Sequence, residues 1–197
     1  MVAVTPRSSG VNLRLADGSI EPFDAAILAC HSDQALALID APTPAERSVL
    51  GAIRYRRNDV YLHRDASLMP PRRTAWAGWN VIKDAQDNVS VTYWMNALQG
   101  VDESRPLFVS LNPHRPPRPD LVFGRYDYAH PQFDQAALEA QTRLSGLQGE
   151  RHLWFCGAWT GYGFHEDGLL SGLTVAQDLG ASLPWGPTPR GFQEAAE

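Results

Sequence analysis

Apolar residues near the start of the chain recur with the period of two that a half-buried strand requires. Val2-Ala3-Val4 leads through Pro6 to Gly10, and Val11, Leu13 and Leu15 then alternate with polar neighbours up to Asp17-Gly18. This pattern predicts a β-meander. The continuous apolar run in residues 23–30 predicts one strand covered on both faces. Ser32 and Asp33 can cap a helix over 34–39, and Pro42-Thr43-Pro44 breaks the chain before a second helix over 45–52.

From residue 51 the pattern changes to aromatic and β-branched strands, expected over 59–63, 74–81, 88–96, 107–111 and 121–128, which predict an antiparallel lobe spanning 51–145. Residues 84–88 form a polar hairpin loop, and 114–119 a stiff proline-rich connector. A helix over 132–144 precedes a buried strand over 152–157, and a last helix runs from 168 to 179. The first lobe is placed at 1–50, a closing strand-loop-helix at 146–182, and a disordered tail, rich in Pro and Gly, at 183–197. The fold class is therefore α+β.

Composition narrows the function. A hydrophobic content of 44% in 197 residues suits a packed core. The net charge of -5 and scattered arginines offer no stripe for nucleic acid or an anionic membrane. No apolar run reaches the roughly 18 residues that cross a bilayer, and no signal peptide opens the chain, so a cytoplasmic location is expected. Cys30 and Cys156 form no CxxC pair and are expected to be buried thiols. His31, His63 and His130 lack ligand spacing, so no metal site is expected.

The chemistry concentrates in residues 153–179. An apolar strand ends at Gly157, a loop holds Gly161 and Gly163, and Glu166-Asp167-Gly168 introduces a helix bearing the small residues Ser171, Gly172 and Ala176. Glycines let backbone approach a ligand, and free N–H groups at the helix start favour partial negative charge. The same spacing also serves a tight strand-to-helix connection.

This segment resembles the C-terminal FAD motif of the flavin-containing amine oxidase and phytoene desaturase superfamily. Cys156-Gly157-Ala158, the run Gly161 to Gly168, and Thr92-Tyr93-Trp94-Met95-Asn96 are similar to a bacterial branch described as predicted NAD/FAD-binding amine oxidoreductases. The resemblance covers roughly residues 1 to 180. It implies a partial FAD-binding domain around an antiparallel substrate lobe, and an FAD-dependent oxidoreductase that moves hydride equivalents from an amine or an unsaturated, lipid-like substrate to the cofactor. Gly157, Ala158, Glu166, Asp167 and Gly168 are then the backbone contacts to FAD. His165 is the candidate proton-transfer group, since a histidine titrates near neutrality. Tyr93, Trp94, Asn96, Trp79 and Asn80 are candidates to line a substrate cavity, although Tyr93 and Trp94, being adjacent on a strand, cannot share a face.

Three departures qualify the resemblance. The family opens with GxGxxG on a strand-helix unit that holds the FAD pyrophosphate, and this chain has none. Met1 is therefore expected to fall in mid-fold, with the Rossmann part missing or supplied by a partner chain, and a truncated, non-catalytic piece is the alternative. Ala158 stands where many relatives carry an acidic residue. Lys83 is the sole lysine and adjoins a polar turn, which argues against amine oxidation by relatives that use a lysine-held water.

Overall fold

The computed structural model describes residues 1–83, 89–182 and Trp185. The expected hairpin loop at 84–88 and, apart from Trp185, the expected tail at 183–197 lie outside the described residues. In chain order the strands are β1 Ala3–Arg7, β2 Gly10–Arg14, β3 Ile20–Phe23, β4 Ala26–Leu28, β5 Arg54–His63, β6 Trp79–Lys83, β7 Val89–Trp94, β8 Phe108–Leu111, β9 Val122–Gln132 and β10 Leu153–Phe155. The helices are α1 Ser32–Leu38, α2 Pro44–Leu50, α3 Met95–Gln99, α4 Gln135–Arg143 and α5 His165–Asp178. The chain divides into two compact units, Met1–Tyr55 with Pro131–Glu197, and Arg56–His130.

The first unit holds the antiparallel meander β1-β2-β3 and a parallel pair, β10-β4. The single strand expected over 23–30 is instead two. Pro22 has no N–H and suits only an edge, so β3 closes the meander, where Phe23 pairs with Val11. The chain leaves that sheet at Asp24, and Ala26–Leu28 pairs with β10. Both β4 and β10 pack into one core, where Val4, Leu28, Leu50, Ile53, Leu153 and Phe155 are at most 2% exposed.

Local chemistry sets the helix ends. Thr43 and Glu46 form a reciprocal capping box, Glu46 N–H to Thr43 Oγ1 at 3.1 Å and Thr43 N–H to Glu46 Oε2 at 2.6 Å, with Pro44 at the first helical position. Asp134 caps α4 by accepting from Ala137 N–H at 3.0 Å, so that helix begins at 135 rather than 132. It lies in the first unit, with Ala137 and Ala140 buried in its core, and not with the sheet assigned to 51–145.

The second unit is one sheet in the order β6-β7-β8-β5-β9. Register places Trp79 opposite Tyr93, Tyr93 opposite Val109 and Val91 opposite Leu111, so these share a face. The other face carries Asn80, Ser90, Thr92, Ser110, Tyr61 and His63, all buried. The strand expected over 74–81 begins only at Trp79, because residues 73–75 form a 3₁₀ turn. The strand expected to reach Asn96 stops at Trp94, and α3 then ends at Gly100, whose φ of 64° terminates a helix readily. Among the described residues no helix is long and apolar enough to cross a membrane.

Sequence reading found no role for His63, yet it organises the polar face. Its Nδ1 accepts from Asp65 N–H at 3.1 Å, which leaves Nε2 to donate to Ser110 Oγ at 2.8 Å, and Ser110 in turn meets Thr92 Oγ1 at 2.6 Å. Burial disfavours the charged ring and lowers the pKa of His63 to about 4, against a weaker opposing pull from Asp65. The folded state thus binds fewer protons than the unfolded one between the free value of 6.5 and about 4. Stability from this ring is fully present above that window and lost as pH falls through it. Urea midpoints should decline from pH 6.5 to 4, and the NMR titration of His63 should fall near 4. A His63 titration near neutrality refutes this.

Candidate functional site

Parallel strands present their carboxyl ends on one side, and there the first unit gathers its unusual groups. After β4 come Cys30, His31 and Ser32; after β10 come Cys156, Gly157 and Ala158. The two loops are tied by the Trp159 indole N–H, which donates to the Cys30 carbonyl at 2.9 Å. Gln141 of α4 donates to the carbonyls of Trp159 and Gly161 at 2.8 and 2.7 Å, holding the loop from the other side.

Gly157 has φ 147°, and a Cβ there would lie 2.8 Å from the Trp159 indole nitrogen. A larger residue would push the indole off Cys30. Ser171 Oγ accepts from Gly157 N–H at 2.9 Å and donates to the Gly168 carbonyl at 2.9 Å, locking β10 to α5. The helix lies close: a Cβ at Gly168 would be 3.5 Å from Ala158 N. Among the described residues no acceptor bonds the N–H groups of Ala158, His165, Glu166 or Asp167. Gly157, Ala158 and the first turn of α5 therefore converge, with free donors at the positive end of a helix of 14 residues.

The helix begins at His165, three residues before the position expected, because Asp167 fixes the preceding loop. Its Oδ2 accepts from Tyr162 N–H at 3.1 Å and Phe164 N–H at 2.8 Å. The Asp167 side chain thus serves the loop, leaving only its backbone for a ligand. Glu166 and His165 are exposed, and among the described residues neither side chain has a polar partner.

Ser32 opens α1, two residues after Cys30. It is fully buried, and its Oγ has no hydrogen-bond partner among the described residues. Its N–H donates to the Tyr55 hydroxyl at 2.9 Å, and Tyr55 stacks on His31 at 4.3 Å. Burial raises the Tyr55 pKa. Both thiols are free; burial raises both pKa values, which opposes thiolate chemistry. Cys156 is buried as expected, whereas Cys30 is only partly so.

The residues proposed to line a cavity separate. Trp79 and Tyr93 meet edge-on at 5.3 Å on the apolar face, while Trp94 lies on the opposite one. Asn96 is on a helix, not a strand. Its amide donates to Asp102 and Arg105 carbonyls at 2.9 Å each and accepts from Leu107 N–H at 2.8 Å, so it staples the 100–107 loop and has nothing left for a substrate. Asn80 is similarly engaged, with Ala77 and the Thr92 carbonyl. No sequence signal marks Gln141; in the sequence Ser32 reads only as a helix cap and Ser171 only as a small residue on the last helix, not for the hydrogen bonds they make or lack.

No protein-family model and no curated protein matches the chain. Solved structures do. A CLA-producing fatty acid isomerase from P. acnes superposes with a TM-score of 0.60 at 14% identity, over 91% of this chain and 47% of its own. A reduced UDP-galactopyranose mutase gives 0.59 at 11%, over 91% of this chain and 46% of its own. The chain shares their fold and spans about half the length of each.

Replacing Asp167 with Ala should leave two loop N–H groups without an acceptor and cost about 0.5–2 kcal/mol, the usual range for a lost helix cap. Amide exchange at Tyr162 and Phe164 should accelerate more than at Leu153 or Phe155; uniform acceleration would show that Asp167 does not act on the loop.

Proposed function

We propose that this chain is the carboxyl-terminal part of a cytoplasmic FAD-dependent oxidoreductase, with β10, its glycine loop and α5 against the cofactor. The observation that carries this reading is the convergence of Gly157, the bare Ala158 N–H and the unbonded first turn of α5 at the carboxyl ends of two parallel strands. The fold likeness supports it, as one neighbour was solved in a reduced form. The residues present fit such a group: the free N–H groups of Ala158 and of the first turn of α5 offer donors to carbonyl or phosphate oxygens. Gly157, Ala158, Glu166, Asp167 and Gly168 would contribute backbone, and no side-chain carboxylate follows the strand-end glycine.

When bound, FAD would supply the two-electron acceptor chemistry. The chain's own part is to place donors at the helix start, where negative charge is stabilised, and to exclude water with the Trp159 loop. His165, exposed at that helix start, is the group proposed to move a proton. The apolar face bearing Trp79 and Tyr93 is the surface proposed for the substrate. Its residues Trp79, Val81, Tyr93, Val91 and Val109 are apolar or aromatic, and Lys83 shares their face; an apolar wall beside a positive charge favours an unsaturated or lipid-like molecule over a cationic amine.

A second reading is favoured by the edges of the parallel pair. The side-chain amide of Gln148 donates to the Phe155 carbonyl at 2.7 Å and accepts from Phe155 N–H at 2.8 Å, replacing a neighbouring strand on β10. No such device covers the edge of β4 away from β10, on which no second strand pairs among the described residues, and Ile27 is 48% exposed. A GxGxxG-bearing segment would find its place there, and without it the chain would be non-catalytic.

Protein produced in FAD-supplemented cells should carry flavin absorbance that is released on denaturation. Gly157→Val should lose the flavin, and Trp79→Ala should keep it. A folded but colourless chain would overturn independent cofactor binding and favour the second reading.

A further inference from the structure

The second unit contains a corner whose walls suit a cation. Trp76 and Trp94 stand 85° apart, with ring centroids separated by 5.5 Å. Trp76 is fixed twice over: its indole N–H donates to the Pro70 carbonyl at 2.8 Å, and its ring packs edge-on to the buried Phe108 at 5.6 Å. Trp94 ends β7, and its backbone N–H bonds the Gly78 carbonyl at 2.8 Å. Both walls are thus oriented by contacts outside the corner itself.

The two ring faces converge on the guanidinium of Arg73, whose Cζ lies 4.0 Å from the Trp76 centroid and 4.3 Å from that of Trp94. Glu103 Oε2 closes the set at 2.8 Å from Arg73 Nη2. The occupant is less fixed than its walls. Arg73 opens a one-turn 3₁₀ helix with no buried residue, and the Arg73 and Glu103 side chains are 51% and 68% exposed.

We propose that this corner binds an organic cation, a guanidinium or methylated ammonium group carried by a ligand, and that Arg73 is its built-in competitor. Two indole faces at right angles attract a weakly hydrated cation through their quadrupoles, and the carboxylate balances its charge. A small, strongly hydrated ion such as sodium gains little from the faces. The Arg73 side chain can move into water, where its charge is well solvated, while an incoming cation takes up the same three contacts. The site stands apart from the FAD reading and survives or fails without it.

The test is titration of the full chain, labelled with nitrogen-15 in its indoles, with tetramethylammonium chloride against sodium chloride of equal ionic strength. The Trp76 and Trp94 indole signals should shift saturably with the organic cation alone. Arg73→Met, which keeps the stem and removes the charge, should tighten binding about fivefold or more, as expected when a cation–π competitor is removed, and adding Trp94→Leu should abolish it. An identical response to sodium, or no tightening in a folded Arg73→Met chain, would overturn the proposal. Should that variant not fold, the wild-type titration decides alone, and the absence of a saturable shift refutes the site.

Discussion

The hydrogen bond from the Trp159 indole to the Cys30 carbonyl joins segments 129 residues apart, and the arrangement of the candidate site depends on it. Behind it lie only three residue pairs of parallel strand. So short a pairing is weak by itself, and its strength comes from its surroundings: Leu28, Leu153 and Phe155 are almost wholly removed from water, and the Gln148 amide completes the backbone of Phe155. The loops beyond the strands inherit this rigidity. Gly157 holds φ 147° because it has no Cβ, and the Trp159 ring, pinned to Cys30, fills the space a side chain would need. Ser171 then transfers the position of Gly157 to α5.

Much of this was legible in the sequence. The alternation of residues 2–15 announced the meander, and the glycines after Phe155 announced the connection at the centre of the site. The misread boundaries share a cause. Periodicity marks apolar positions but not which sheet they join, so the run at 23–30 concealed a change of partner that only Pro22 hinted at. Asn96 looked like a cavity residue because its strand pattern continued past Trp94. The loop it satisfies, with carbonyls at 102 and 105, is defined only by the fold. The start of α5 was hidden similarly, since Asp167 caps backwards onto Tyr162 and Phe164 and not onto the turn it belongs to.

The His63 network was invisible for a different reason. Histidine, serine and threonine in alternation with apolar residues suggest a solvated face, and here that face is the buried one. Ser90, Thr92 and Ser110 lie on it with His63, each at most 5% exposed. Their hydrogen bonds satisfy one another and the backbone, so burial carries no unpaired group.

The opposite face of the same sheet completes the argument. Trp79 and Val81 on β6 are 57% and 67% exposed, and Val89 on β7 is 50% exposed. A sheet that served only as scaffold would gain by the reverse arrangement, with the valines and the tryptophan inside and the hydroxyls in water. Leaving adjacent β-branched and aromatic residues uncovered on an edge hairpin forgoes their burial, which is worth about 1.5–3 kcal/mol for each large side chain. It also leaves a surface prone to unwanted pairing. The polar network inside makes this inversion possible, because it supplies a fully bonded core layer without drawing on the apolar residues. The sheet therefore leaves the apolar residues of β6 and β7 uncovered at its edge, with Lys83 on the same face and Val60 buried farther along it, and it is this uncovered end, apolar, aromatic and flanked by a positive charge, on which the proposed substrate class rests.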